Sequence, residues 1–545
     1  MATKININGK LTSLPGVYAV TKSGIANPPT NLSYGNILII DDGIGAGYGA
    51  GSGSQGTFKQ GADSVYEFES LQTFRDFVKG GELWNLALPL FRPARSSGEV
   101  INGVSKVFLI HARESTPASL LLELKNGTLE LQTLDEGVNA NGTKSGDKLL
   151  SGYGAKLTKG QVDKNKYQLS FYHGTFKGLD ALNNVPFDGI AAAESKPALI
   201  VSSPEVATIA ELVTWMNTSV AFKAGFKLKA STVTTTGALA TDDLTKYPEV
   251  IAAAGGTETY SPEAFEAALR TINNLDFTFL FSTKYADEIL SANNQQLVQF
   301  ITDGSSKFER FMLGAAQADK AGFNTGANSS ISAAKYYNSD KVILVHGAAK
   351  LTNASGFKLV SQLYKAAAVL GRIAGLSPQT PATFKRIGIN GEVHKLDEGE
   401  LELANENGLL VTYYDFELDD YVILQGVNTL QNNEYLVNED ASSHSIAVKR
   451  ITAQLNKEIV VNAKRRFFGK DNVGPNRNTV TEADLKAWLE GFLLSKTATA
   501  LTDNLIIRYG NVNATVTGDK YYVQYEFVPN FEVNKMVITG VILEA

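Results

Sequence analysis

Apolar positions along this chain gather into short runs separated by helical ladders. "NILII" opens at Asn36, "SKVFLIHA" covers 105–112, "PALIVSS" begins at Pro197 and "FTFLFST" covers 277–283. "KFERFMLGA" and "DKVILVHG" follow, ending at Ala315 and Gly347. Each reads as a strand. Between them lie helical patterns: "LQTFRDFVKGGELWNLALPLF" from Leu71, "PEVATIAELVTWMN" from Pro204, and "KYADEILSANNQQLVQFITD" from Lys284. "FKLVSQLYKAAAVLGRIAGL" reads as a long apolar helix ending at Gly375. Alternation of strand and helix predicts α/β architecture.

Other stretches follow a period of two. "KININGK" alternates Ile5 and Ile7 with polar neighbours and runs on to Pro15–Gly16, which predicts an extended arm ending in a turn. From about 119 to 180 the chain is rich in Gly, Asn, Thr and Lys, with alternating pieces such as "TLELQTL" and "YQLSFYHG". An antiparallel β insertion is expected there. The polar stretches 230–243 and 320–330 are expected to be surface loops. Near the end, Tyr521, Val523, Tyr525 and Phe527 alternate with Tyr522, Gln524 and Glu526, the period of a half-buried strand. Met536 to Leu543 is almost continuously apolar. Such a strand must pair with its own sheet or a neighbour's to avoid aggregation.

Composition narrows the field. A chain of 545 residues exceeds one hydrophobic core, so three or four domains are expected. No run reaches the roughly 18 to 20 apolar residues of a membrane span, and "MATKININGK" has no apolar signal-peptide core. Cysteine is absent, excluding disulfides, thiolate metal sites and cysteine nucleophiles. A net charge of −6 argues against a protein that coats nucleic acid.

Seven glycines lie between Gly43 and Gly56, directly after an apolar run. A dinucleotide loop needs its glycines between a strand and a helix start. Here the formal match, Gly51, Gly53 and Gly56, lies about ten residues past the run, no helical period follows, and no Lys–Ser/Thr pair completes a phosphate loop. A surface loop is the expected reading. The five histidines are scattered, without H-E-x-x-H, and no G-x-S-x-G elbow occurs. His111 and His346, each ending an apolar run, are expected to be hydrogen-bonded strand-end imidazoles. No catalytic, cofactor or metal residue is assigned.

The sharpest pattern is in the last third. Ile451, Leu455, Ile459, Ala463 and Phe467 form an i+4 ladder. Lys449, Lys457 and Lys464 lie on another face, with Arg465, Arg466 and Lys470 at the end. From Ile446 to Lys470 there are seven Lys/Arg and one acid, whereas 397–420 carries nine Asp/Glu and no Lys or Arg. Either a solvated amphipathic helix or a docking face fits this.

Several quoted segments together resemble the contractile tail sheath proteins of bacteriophages. At the front they are "LPGVYAV" and "FRDFVKGGELW"; behind come "AAAVLGRIAGL", "TFKRIG", "ILQGVNTL", "IAVKRITAQLNKEI" and "KRRFFGKDN", in that order, then the terminal strands. The glycine stretch, the 119–180 insertion and the polar 230–243 depart from the family.

The resemblance implies a non-enzymatic structural subunit, α/β and α+β, multidomain, with a core from both chain ends, inserted outer domains and extended arms. Expected segments are an arm (1–22), the first part of the α/β domain (23–118), a β-rich insertion (119–195), further α/β domain (196–376), a tube-proximal core (377–518) and terminal strands (519–545). Implied partners are copies of itself in stacked hexameric rings, a tail tube protein, and baseplate and terminator proteins, in a virion tail assembled in the host cytoplasm, with no nucleic acid or membrane insertion. Inter-subunit arm contacts would involve Ile5, Ile7, Pro15, Gly16, Val17, Tyr18, Tyr521, Val523, Tyr525, Val537, Ile538, Val541 and Leu543. Lys457, Lys464, Arg465, Arg466 and Lys470 would face the tube, and 397–420 another subunit. A non-viral injection sheath, a static shell and a dinucleotide oxidoreductase are the alternatives.

Overall fold

Five of the apolar runs meet in one sheet. The computed structural model describes residues 5–7, 10–12, 35–41, 65–78, 81–96, 99–101, 103–145, 148–174, 198–229, 237–283, 292–302, 309–352, 358–431, 444–467, 481–497, 505–517 and 520–530. The sheet runs Val342–Val345, Phe311–Ala315, Phe279–Ser282, Asn36–Asp41, Lys106–His111, Val65–Phe68. All neighbours are parallel except the last pair.

Parallel strands need cover on both faces, and the side-chain period of two supplies it. Ile37, Ile39, Val107, Leu109, Phe279 and Phe281 face helices Leu71–Val78, Gly81–Phe91 and Gln362–Ala374. Leu38, Ile40, Phe108, Ile110 and Leu280 face helices Pro262–Ile272, Ala292–Thr302 and Ser330–Tyr337. The expected single helix from Leu71 is two helices, Leu71–Val78 and Gly81–Phe91. The expected helix from Phe357 begins later. Lys358–Ser361 is a strand paired with Ala349–Thr352, and the Ser361 hydroxyl caps the helix by accepting from Tyr364 N–H at 3.0 Å.

The β-rich unit interrupts this sheet in sequence, and it is longer than expected. Strands Arg113–Leu124 and Gly127–Glu136 pair with Phe226–Leu228 and Thr257–Tyr260. Lys148–Lys159 and Tyr167–Gly174 pair with Ile251–Ala252 and Ala198–Ser202. One core joins Leu120, Leu131 and Phe171 to Ile209, Met216 and Phe226. The boundaries at 119 and 195 are therefore corrected, because strands 198–260 satisfy their backbone groups in the insertion's sheets. Within the stretches expected as loops, Thr241–Lys246, Ala321–Asn324 and the start of Ser330–Tyr337 are helical.

Behind Val345 the chain builds the opposite edge. Leu410 N–H donates to the Leu344 carbonyl at 3.0 Å, and Thr429 N–H to that of Val342 at 2.9 Å. The hairpin Thr412–Asp415/Asp420–Ile423 and helix Glu398–Glu406 lie in this segment. Helix Ile446–Phe467 then joins a separate core, in which Ile451, Leu455 and Ile459 meet Leu489 and Leu493 of Glu482–Leu494 and Ile506, Val512 and Phe527 of a final hairpin. That hairpin pairs Ile506–Thr517 with Lys520–Pro529. A boundary at 518/519 cuts through it, so that expectation is corrected too. Among the described residues, no helix is long and apolar enough to cross a membrane.

Candidate assembly surfaces

The i+4 ladder buries as expected, but the helix carrying it is not solvated. From Ile446 to Val460 nearly every residue is buried, and most of its cations are used within the chain. Lys449 pairs with Asp340 at 2.9 Å, and Arg450 donates to the Leu376 carbonyl at 2.6 Å. Lys457 is 7% exposed and its ammonium pairs with Asp276. The Asp276 side chain that engages it is itself 47% exposed. Glu458, fully buried, pairs with Lys496 at 3.6 Å. Only the last turn opens outward, with Lys464 half-buried and Arg465 and Arg466 exposed. Lys470 lies outside the described residues.

Arg466 sits at the mouth of a groove of about 540 Å³ between this helix and Glu482–Leu494. Trp488 and Phe492 form its apolar wall, and Asn462, Asp484 and Lys496 supply polar groups. Phe467 packs edge-on against Trp488, centroids 5.2 Å apart.

The final hairpin is anchored at one end and open at the other. Ile506 and Phe527 are buried, and the Tyr525 hydroxyl donates to Asn456 Oδ1 at 3.0 Å. Asn456 in turn donates to Glu309 at 3.0 Å. Burial raises the Tyr525 phenol's pKa far above its ordinary value, with the Glu309 carboxylate adding to the shift. Tyr525 thus ties the hairpin to its own chain through Asn456. Tyr521, Tyr522 and Val523 are 44%, 52% and 37% exposed. The expected half-buried alternation fails at this end because no sheet covers either face there among the described residues. Among the described residues the two strands form a two-stranded sheet, whose outer edges carry ladder groups not paired to another described strand, although Val516 N–H donates to Glu482.

At the other terminus the expected extended arm doubles back: Ile5 lies opposite Thr12 and Ile7 opposite Lys10. The sequence between them is Asn8–Gly9, the favoured pair for a two-residue hairpin turn. Pro15, Gly16, Val17, Tyr18, Val537, Ile538, Val541 and Leu543 lie outside the described residues, as does the glycine stretch 43–56.

Neither strand-end histidine stands alone. His111 Nδ1 lies 3.0 Å from Asp41 Oδ2, both fully buried. His346 Nδ1 is 2.8 Å from the Ser330 hydroxyl and its Nε2 is 3.0 Å from His394 Nδ1; His394 Nε2 reaches Glu400 at 3.1 Å. The acidic segment 397–420 is partly consumed in this way. Glu400 also pairs with Lys320 at 3.1 Å, and Asp420 with Arg386 at 3.6 Å. The rest of it, around Phe416, remains on the surface.

No protein-family model and no curated protein matches the chain by sequence. Solved structures do. The sheath tail protein of Desulfitobacterium hafniense superposes with a TM-score of 0.56 at 13% identity, over 94% of this chain and 99% of that one. The sheath tail protein of Listeria innocua gives 0.48 at 14% identity, over 91% and 96%. The helical sheath of the anti-feeding prophage in its contracted state gives 0.37 at 13% identity, over 53% and 78%. The first of these superpositions shows that the chain has the fold of a sheath tail protein.

Proposed function

We propose that this chain is the sheath subunit of a contractile phage tail, polymerising as stacked hexameric rings around a tail tube and contracting to drive that tube through a host envelope. The superposition over nearly the full length of both chains carries this reading. The hairpin Ile506–Thr517/Lys520–Pro529 supports it locally. Its open edges suit strand addition by the terminal arms of neighbouring copies, the main chain supplying affinity and exposed Tyr521, Tyr522 and Val523 supplying register. Each added backbone bond nets about 0.5–1.5 kcal/mol, so one arm is weak and a closed lattice of arms is strong. Arms held by backbone bonds act as hinges while subunits move as rigid bodies. The work comes from an extended lattice relaxing to a better-packed one.

The tube-facing part of the surface narrows to the last turn of Ile446–Phe467, with Lys464 and Arg465 toward an acidic tube. Baseplate and terminator proteins would close the two ends of the sheath. The test is negative-stain electron microscopy of the full chain beside a deletion of residues 1–18. Long striated hollow tubes from the full chain and none from the deletion are expected. Dispersed particles in both samples would overturn the reading, and tubes of a single fixed length per subunit under all conditions would make the protein a static shell.

A further inference from the structure

One exposed aromatic has no role in the hairpin-and-arm scheme. Phe416, at the tip of the hairpin Thr412–Asp415/Asp420–Ile423, is 88% exposed, and Leu418 beside it is 38% exposed. An apolar ring so far into solvent usually sits on a flexible tip; this one is fixed from below. Asp415 Oδ1 accepts from the N–H groups of Glu417 at 2.9 Å and Leu418 at 3.0 Å. Tyr413 donates to Asp415 Oδ2 at 3.2 Å, and Tyr414 donates to Asp419. Asp419 takes a left-handed backbone, φ 50°, which closes the turn at the cost of strain in a residue with a Cβ. The Tyr414 ring stands edge-on to Phe416, centroids 5.2 Å apart. A side chain presented this way loses little freedom on binding, the property of a recognition element. Four carboxylates flank it in sequence, Asp415, Glu417, Asp419 and Asp420, the last of them paired with Arg386.

The groove beside Arg466 has the complementary character. Its wall is aromatic, Trp488 and Phe492, and the exposed guanidinium of Arg466 lines it together with the Asp484 carboxylate, while Lys496 is buried and paired inward with Glu458. Gly491 lines it from mid-helix. Among the described residues a Cβ at Gly491 would meet nothing within 4 Å, so none of them requires glycine there. Glycine in a helix interior is disfavoured relative to alanine, and close approach of an outside group is the usual compensation.

We infer that the acidic Phe416 tip of one copy seats in the Trp488–Phe492 groove of a second copy, with Arg466 meeting the carboxylates around the ring. This rests on the reading that the chain polymerises. Tip and groove are different patches of the same chain, so the contact is head-to-tail, the kind that propagates rings or helical filaments rather than stopping at a dimer. An aromatic anchor in a pocket ringed by charges is also the usual form of an interface hot spot.

The chain has no cysteine, which makes a direct test available. A Glu417→Cys copy is mixed with a Ser495→Cys copy and joined with a short thiol cross-linker; both Phe416 and Gly491 stay intact. The mixed dimer is expected to form at least tenfold faster than either like pair, and Phe416→Ser in the first copy is expected to abolish that advantage. In parallel, Phe416→Ser and Arg466→Glu should each raise the protein concentration needed for polymerisation at least tenfold, and Glu417→Lys should restore part of the loss in Arg466→Glu. Mixed and like pairs cross-linking at equal rates, with Phe416→Ser polymerising as the parent does, would overturn the docking while leaving the sheath reading intact. Cross-linking without any tubes would do the reverse.

Discussion

The buried ion pair between Lys365 and Glu392 offers the sharpest check on how the two halves of the fold are fastened. Lys365 lies on helix Gln362–Ala374 and Glu392 on strand Gly391–Glu392; the side chains are 1% and 2% exposed and 2.6 Å apart. The Thr412 hydroxyl donates to the same carboxylate. Helix, small sheet and acidic hairpin are therefore joined at one point. Lys365→Met keeps most of the stem but leaves Glu392 charged and dry. Removing one partner of a buried pair costs about 3–5 kcal/mol, because the remaining charge is uncompensated. Since both groups are essentially dry, solvent screening removes little of this. Replacing both, as Lys365→Met with Glu392→Leu, should recover much of the loss. Native-state hydrogen exchange of the amides in 365–373 is the suitable assay, since it reads this region without requiring the whole chain to unfold at once. At about 1.4 kcal/mol per factor of ten, protection should fall by roughly two to three and a half orders of magnitude in Lys365→Met and by much less in the double variant. A fall of less than tenfold in the single variant would show that Glu392 is reached by water or sheds its charge cheaply, and the fastening argument would fail.

Stability should also depend on pH near neutrality. Burial, then the Lys365 charge, then His394, hold the His346 pKa well below its ordinary value, and burial and Lys449 lower that of His444. The unfolded chain then binds more protons than the folded one below about pH 6.5, so this stability is present above that pH and is lost as pH falls. Thermal melts from pH 7.5 to 5.5 should show a declining midpoint, less steep in His346→Gln; a flat profile would contradict the buried neutral imidazole. Gly347 has φ 91°, and a Cβ there would come 2.9 Å from the Lys365 ammonium, so Gly347→Ala should lose about 1–2 kcal/mol from backbone strain alone, read by the same hydrogen exchange. Lys464→Glu should leave self-assembly intact and weaken co-sedimentation with tail tubes, by no more than about 1 kcal/mol if the contact is an exposed ion pair; unchanged co-sedimentation would remove Lys464 from the tube face.

The strands of the central sheet and the ladder Ile451 to Phe467 were legible in the sequence. A strand such as "NILII" has to be apolar on both faces to lie inside a covered parallel sheet, and a ladder at i+4 has to be buried on one side of a helix. These are local consequences of side-chain period, so the order of residues alone determines them. Where charges and boundaries end up is decided elsewhere. Lys457 looks like its neighbour Lys464, yet one is buried and paired with Asp276, 181 residues away, and the other reaches solvent. The unit expected to end at 195 draws four more strands from as far as Tyr260, because backbone pairing rewards whichever strand arrives, whatever its distance along the chain. Phe416 and the Trp488–Phe492 groove went unremarked for the same reason. An aromatic among acids in "DFELDD" reads as an ordinary turn, and Trp488 as an ordinary core residue, until packing shows the first left in water and the second walling an open groove. The sequence determined which segments would be strands and helices; the tertiary structure decided which of their side chains were left over for another molecule.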